Sequence, residues 1–360
     1  MRILHVDAQK EFRGGEQQLI LLLKAQIDAG NAVAVACPGC SPLASRAAAL
    51  GAAHCDFSPS AFFGFWSNRR LRSYASEFKP DIIHAHDSRS VGHLNAAPKG
   101  CIRIAHRRVD FPVKSAGKYI RSDAVVSVSS AIQRIVLDCG VPPDRARLIY
   151  DGIDPARFAS RPSRSELRNQ LGLDDRARLI LSVGALVDHK AHDTGIRAIE
   201  RLGKIRSDVT YWIAGDGNLR SALDALASSV NRSLGRDAVC LLGYRDDIPK
   251  LLAATDVYYH PSRLEGLGTA VLDAMACGLP VVASRAGGLA DAVKDNETGL
   301  LADVDSAESH AAALARLLAD SGFASAAGKA GAERFQSLFT AQRMANETMA
   351  LYRELLEKRR

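Results

Sequence analysis

Several features that would settle the class of this protein at once are missing from its sequence. No run of about eighteen apolar residues occurs among its 360 positions, so no transmembrane helix is predicted. The opening stretch, MRILHVDAQKEFRGG, becomes polar and charged after one short apolar run, unlike a secretory signal. The cysteines number seven; an odd count at irregular spacing argues against a disulfide framework and for reduced thiols in a cytosol. No short repeat marks a solenoid. No Asp-x-Asp pair precedes a phosphate-binding turn, since Asp303 and Asp305 come late and read as a surface loop. No metal ligand set and no cofactor are therefore expected.

What remains is an ordinary globular composition, 47% hydrophobic and 24% charged, at a length that predicts two domains. The net charge of +7 is uneven. Residues 1–160 hold 21 basic against 14 acidic side chains, and 161–360 hold 26 of each. Within 60–121 there are 12 basic and 4 acidic residues. A field of that sign suits a phosphate, nucleic acid or an anionic membrane; a basic solubilising face accounts for it equally well.

Apolar strand-like runs alternate with amphipathic segments along most of the chain. Arg2–Asp7 reads as a strand, Gly14–Gly15 as a polar turn, Glu16–Ala29 as a helix and Ala32–Ala36 as the next strand. Periodicity fails near Arg157–Ser165, and a second cycle starts at Leu179–Gly184. Repeated strand–helix alternation predicts parallel sheets covered on both faces. The expectation is an α/β chain of two Rossmann-like domains, 1–160 and 161–340, with a C-terminal helix over 341–360 returning to the first. Ligands of such sheets bind beyond the carboxyl ends of the strands, so a cleft between the domains is the expected site.

The stretch PSRLEGLGTAVLDAMACGLPVV, Pro261–Val282, carries the most chemistry. Glu265 follows a predicted strand, Gly266 and Gly268 keep the turn free of bulk, and a helix is expected from about Gly268. The first amides of that helix lack internal partners and can meet a phosphate. Asp273, further along and near the face of Thr269, can accept from hydroxyls. A ligand with phosphate and many hydroxyls, such as a nucleotide sugar, would use all three; an ordinary glycine turn with a solvated acid is the plainer alternative. Further glycines, Gly184, Gly215, Gly217, Gly287 and Gly288, fall at other strand ends and suggest sheet edges that approach a ligand closely.

These residues resemble the signature of retaining glycosyltransferases of the GT-B fold, family 4 (group 1): a glutamate, seven residues, a second acid, then Ala274–Met275–Ala276–Cys277–Gly278–Leu279–Pro280–Val281. The resemblance extends to Gly14–Gln17, Asp151–Asp154, Ser182–Asp193, Ala214–Arg220, Leu241–Val257 and Glu297–Leu301. It implies that Glu265 contacts the donor sugar, Asp273 the ribose, and Lys190 the leaving diphosphate. It places the amides of Gly266, Leu267, Gly268 and Thr269 against sugar and pyrophosphate. His106 would lie by the sugar, facing the acceptor, and the Gly14–Gly15 loop would approach from the first domain. It further implies a UDP-, GDP- or ADP-sugar donor, no divalent ion, and retention of anomeric configuration. The chain departs from the pattern at Ala185, where a phosphate-binding arginine is usual, at Asp273 in place of Glu, and at Asp151 in place of Asn. Arg107, Arg108 and His189 are candidates to replace the missing arginine.

Elsewhere, Cys37-Pro-Gly-Cys40 has redox spacing but sits inside a large domain. His84 and His86, beside Asp87, can be metal ligands without an evident fourth partner, or can line a cleft. Phe57–Arg72 mixes Phe62, Phe63, Phe65 and Trp66 with Arg69, Arg70 and Arg72, which suits either an anionic membrane surface or a packed loop. With His106–Arg108, Lys114, Lys118 and Arg121, it points to an anionic, lipid-linked acceptor of cell-envelope glycan synthesis, lipopolysaccharide core among them, handled at the inner face of a cytoplasmic membrane. Two other classes compete: an epimerase-like nucleotide-sugar enzyme that needs no acceptor, and a nucleic-acid-binding protein, for which no binding module is recognisable.

Overall fold

The computed structural model describes residues 1–59, 64–159, 164–174 and 177–359. The chain forms two units, Met1–Asp154 with Thr340–Arg360, and Pro155–Phe339. The first holds seven parallel strands, β1 (Arg2–Val6), β2 (Ala32–Cys37), β3 (Ala53–Asp56), β4 (Ile82–Ala85), β5 (Ile102–Arg107), β6 (Ala124–Ser127) and β7 (Ala146–Leu148), in the order 3-2-1-4-5-6-7. The second holds six, β8 (Arg178–Val183), β9 (Val209–Ala214), β10 (Val239–Gly243), β11 (Val257–His260), β12 (Val281–Ser284) and β13 (Gly299–Ala302), in the order 10-9-8-11-12-13. Both are Rossmann-like, as expected. Each reverses direction of strand addition at one junction, β1/β4 in the first unit and β8/β11 in the second, where the carboxyl edge opens a crevice.

The central strands are apolar throughout because both faces are covered. Leu179, Ile180 and Leu181 on β8 and Val281, Val282 and Ala283 on β12 are wholly buried, as a parallel sheet between helix layers requires. The C-terminal helix, Ala341–Glu357, starts at Thr340, whose hydroxyl accepts from the Arg343 amide, the usual way of satisfying a free helical donor. It lays Met344, Ala345, Met349, Leu351 and Tyr352 against Ile3, Ile82 and Ile104 of the first sheet. Its entry is fixed by Gly152, where an added Cβ would stand 2.5 Å from the Thr340 carbonyl oxygen; only glycine lets the two backbones cross.

The unit boundary falls at Asp154/Pro155 rather than at 160/161. The turn Pro155–Phe158 belongs to the second unit because Phe158 is buried and Arg157 pairs with Asp273. Gly14 and Gly15 are not a turn ahead of the first helix. They are its first two residues (Gly14–Asp28), and the Arg13 amide donates to the Glu16 carboxylate at 2.7 Å. Strands β3, β7 and β13 have no counterpart in the sequence reading: each is short and lies at the edge of its sheet.

Candidate functional site

In the second unit, β8 and β11 are hydrogen-bonded neighbours at the reversal point, and a loop leaves the carboxyl end of each. The β8 loop runs from Gly184 to a 3-10 turn, Asp188–Lys190. The β11 loop runs from Pro261 to Gly268 and into the helix Thr269–Ala276. Arg263 fastens the loops together. Its amide donates to the His189 carbonyl at 2.8 Å, and its guanidinium reaches the Asp188 carbonyl, Asp193 at 3.0 Å and Asp305 at 2.6 Å.

Across this clasp Lys190 Nζ donates to Glu265 Oε2 at 2.5 Å, His260 Nε2 lies 2.9 Å from the same oxygen, and the Ser262 hydroxyl 3.4 Å. Both long side chains are largely covered, 18% and 15% exposed. Burial opposes the charge of Glu265, but the Lys190 cation and the His260 hydrogen bond outweigh it and hold the carboxyl well below the usual carboxylate range. His260 is also held below its ordinary value, chiefly by burial, with the Glu265 bond acting against the shift. It is therefore neutral at pH 7 and offers Nε2–H to the glutamate. The sequence reading had Lys190 on a diphosphate and Glu265 on a sugar as separate contacts; in the structure the two side chains hold each other. An ionised acceptor and a cation stand side by side, and none of the three bonds uses Oε1.

Beside them the helix Thr269–Ala276 begins without any side-chain cap, so its leading amides keep the free N–H groups that can bind an anion. Gly268 must be glycine: its φ is +88°, and a Cβ would stand 2.7 Å from Leu289 Cδ2. Leu267 turns its side chain into the core, while Gly266 and Thr269 stay half-buried. Asp273 lies one turn on. Burial pushes its carboxyl up to about 6, opposed only by the Arg157 charge 3.3 Å away.

Packing alone accounts for two of the glycines expected at this edge. The glycines at 215 and 217 are explained by backbone packing, since a Cβ would stand 1.9 Å from the Gly184 carbonyl oxygen and 2.5 Å from that of Leu186; no ligand is needed to account for them. Gly184 itself has only ordinary contacts, the nearest being Lys190 Cδ at 3.7 Å. Ala185 is exposed. His260, Arg263 and Arg157 were not singled out in the sequence; the signal for the first two was their position flanking Glu265 after a strand.

The first unit places different chemistry at its reversal point. His5 on β1 and His84 on β4 are register partners, and His86 and His106 complete a buried cluster. Arg108 Nη1 donates to His86 Nδ1 at 3.3 Å, which leaves the proton of His86 on Nε2, 2.8 Å from His5 Nδ1. His5 in turn donates from Nε2 to Gln26 Oε1 at 2.7 Å. One assignment of tautomers satisfies the whole chain of bonds. His84 Nδ1 meets the Tyr352 hydroxyl at 2.6 Å. Burial above all holds His84, His86 and His106 well below the ordinary histidine value. His5, His84 and His86 present nitrogens within 4.8 Å of one another, a third candidate ligand that the sequence alone did not supply. The Arg108 and His86 bonds, however, engage the lone pairs on His86 Nδ1 and His5 Nδ1 that metal binding would draw on.

His106 lies inside β5, stacked on His84 with centroids 5.3 Å apart, and among the described residues neither ring nitrogen has a hydrogen-bond partner. It is a member of this cluster and not the open, acceptor-facing side chain expected, because it lies in a central strand whose neighbours cover it to 3% exposure. Arg107 is likewise engaged, with the Tyr119 hydroxyl and the Phe111 carbonyl. Arg108 pairs with Asp151 at 3.3 Å and lies next to Gly15, whose Cβ position is 3.7 Å from Arg108 Cδ. Cys37 and Cys40 are both free thiols.

Two Rossmann-like domains, each on a parallel sheet, make this a GT-B fold, the fold of a large class of glycosyltransferases. Residues 12–157 match the Glycosyltransferase Family 4 model, and residues 163–334 match that of Glycosyl transferases group 1. The chain belongs to this family. It is 30% identical over 283 residues to the lipopolysaccharide core biosynthesis glycosyltransferase LpsE of Rhizobium meliloti (strain 1021), covering 78% of each chain. It is 35% identical to a GDP-mannose-dependent phosphatidylinositol monomannoside mannosyltransferase of Mycolicibacterium smegmatis, over only 50% of this chain and 49% of that one. Anabaena HepE, solved in complex with UDP, superposes with a TM-score of 0.86 at 22% identity, covering 98% of this chain and 100% of that one. The protein is a nucleotide-sugar-dependent glycosyltransferase.

Proposed function

We propose that the protein transfers a hexosyl or related sugar, with retention, from a UDP-, GDP- or ADP-sugar to an anionic glycolipid or polysaccharide acceptor of the cell envelope. The observation that carries this reading is the Lys190–Glu265–His260 cluster beside the uncapped head of Thr269–Ala276. As the glycosidic bond to the diphosphate breaks, positive charge grows on the sugar and negative charge on the phosphate oxygen. The helix amides and the Lys190 ammonium are preorganised for the second charge, and such placement is the largest usual contribution to catalysis. Glu265, kept ionised, accepts from sugar hydroxyls with Oε1 while Lys190 and His260 hold Oε2. The donor belongs to the second unit and the acceptor to the first, with Gly14 and Gly15 contributing amides from the start of their helix.

The anionic acceptor is supported by the basic excess of the first unit and by exposed apolar side chains among those cations. Trp66 is 64% and Phe111 47% exposed, near in sequence to Arg69, Arg72, Lys114, Lys118 and Arg121. Phe62 and Phe63 lie outside the described residues. Among the described residues no helix is long and apolar enough to cross a membrane, so contact with a bilayer would be peripheral, through residues 57–72 and their neighbours. Likeness to LpsE, named for lipopolysaccharide core biosynthesis, favours an envelope acceptor.

The test is thermal stabilisation by a panel of UDP-, GDP- and ADP-sugars. A donor present at about a hundred times its Kd stabilises by about 2.7 kcal/mol, a shift of a few degrees. A flat response to the whole panel would overturn the transferase reading.

A further inference from the structure

Most cations near the carboxyl edge of the second unit already have partners that account for them. Arg263 holds three aspartates, Lys190 holds Glu265, Arg245 holds Asp247, and Arg220 holds Asp224. Arg157 differs in that its partner is Asp273, the acid assigned to the nucleotide's ribose. The contact spans 116 positions of sequence and comes from the turn Pro155–Phe158, which Phe158 anchors by burial. The Arg157 guanidinium also lies over the Phe158 ring, 5.4 Å from its centroid. One of its nitrogens reaches Asp273 Oδ1 at 3.3 Å, and the side chain remains 40% exposed against 14% for the aspartate.

We infer that Arg157 is a positioning residue of the ribose subsite, holding the Asp273 carboxylate charged and turned so that it accepts the 2′- and 3′-hydroxyls of the nucleotide. This rests on the donor-site reading above. A carboxylate accepts a vicinal diol well only when ionised, since a protonated one loses part of its acceptor capacity. Asp273 is buried among groups that give it no other support. The Tyr258 phenol on β11 is uncharged, and Arg334 on the adjoining helix Ser321–Leu338 is tied to the carbonyls of Asp291 and Ala292. The remaining described cation of that helix, Lys329, is exposed. Desolvation therefore acts on Asp273 with Arg157 as the sole opposing charge among the described residues. A single long bond to Oδ1 leaves Oδ2 for the sugar.

The experiment is calorimetric titration of wild type, Arg157→Ala and Arg157→Lys with UDP, GDP and ADP, and with the 2′-deoxy form of whichever binds. Thermal melts check that the variants, altered at a half-exposed side chain, stay folded. Losing a charge-assisted contact should weaken ribonucleotide binding by about tenfold or more, with Lys restoring part of it. Wild type should prefer the ribo over the deoxy form and lose that preference as the pH falls through about 6. In Arg157→Ala the preference should be lost at higher pH, because burial is then unopposed. Equal weakening of ribo and deoxy forms with an unchanged pH profile, or no weakening, would overturn the inference while leaving the donor site standing. Failure of all three nucleotides to bind wild type would overturn both.

Discussion

At the reversal point of the first sheet, β1, β4 and β5 bring together four histidines that burial keeps neutral. At that of the second, β8 and β11 bring together a lysine, a glutamate kept ionised and a neutral histidine that bonds to it. The backbone topology is the same in both, so topology sets only where a site can form. Its electrostatics come from the few side chains at the ends of two strands. The first edge is a hydrogen-bond network organised by one arginine; the second is a set of fixed charges of the kind that sugar–phosphate cleavage needs.

The sharpest way to break this comparison is Glu265→Gln. It keeps shape and hydrogen bonding to His260 but removes the charge that pairs with Lys190. Turnover with donor and acceptor should fall by about 10³-fold, in the range seen when one electrostatic contact to a transition state is lost. The variant should stay folded but melt a few degrees lower, because Lys190, 18% exposed, loses the partner of a largely covered ion pair. A variant that retained more than a tenth of wild-type turnover would show that the charge of the second edge is structural.

Arg108→Ala is the corresponding change in the first unit, and its main effect should be on stability. Arg108 and Asp151 are 11% and 6% exposed, and removing one partner of a buried pair leaves the other uncompensated, a loss of about 3 kcal/mol. It also removes the donor that sets the tautomers of His86 and His5. Urea denaturation measures the loss; an unchanged midpoint would mean that the histidine network does not depend on Arg108.

Acid tests the neutral histidines of both units next. The four histidines have folded-state values depressed below 6.5, His5 to about 4, so the unfolded chain binds protons that the folded unit does not. Stability from this source is present above pH 6.5 and is lost as the pH falls toward 4. Asp7 acts in the opposite direction: burial, then the Asp87 charge, lifts it to about 7, so protonation below pH 7 relieves a cost and cancels part of the loss. In the second unit His192 and His310, each lowered to about 4 by burial, and His260 act in the same sense as the histidines of the first, while Glu265 stays ionised across this range. Each unit carries one of the two tryptophans, Trp66 in the first and Trp212 on β9. Single-tryptophan variants can therefore follow the units separately. Between pH 7 and 5 both units should lose stability, because each buries histidines in the neutral form; a unit whose stability did not fall over that range would contradict the neutral-histidine account.

Apolar runs and turn residues gave both parallel sheets, because a strand covered on two faces must be apolar along its length. The Glu265–Asp273 spacing marked the candidate edge of the second sheet for the same local reason: a strand, a glycine turn and a helix start follow one another in the chain. What stayed hidden was every contact between distant segments. His5 and His86 are 81 positions apart and Arg157 and Asp273 are 116; no period links them, and only the order of strands in the sheet does. The glycines misled for the related reason that a glycine admits close approach without saying whether a ligand or another loop approaches. Gly215 and Gly217 face the Gly184 and Leu186 carbonyls.

The smallest effect is expected at Cys37, and it bears on whether the first unit has any chemistry outside the histidine network. The residue closes β2, paired in register with Asp56, and is wholly buried, while Cys40 of the same Cys-Pro-Gly-Cys run is exposed. Burial pushes the Cys37 thiol up to about 12, with the Ser41 hydroxyl acting only weakly against it, so at neutral pH there is no thiolate to attack a disulfide or bind a soft metal. A redox pair requires the reverse: an exposed first cysteine with a lowered pKa. Cys37→Ala should therefore cost about 1 kcal/mol for the small cavity it leaves and keep turnover within a factor of two of wild type. The measurement is the urea midpoint and the transfer rate with and without a thiol reductant. A reductant-dependent rate in the wild type that disappears in the variant would place a working thiol in the first unit.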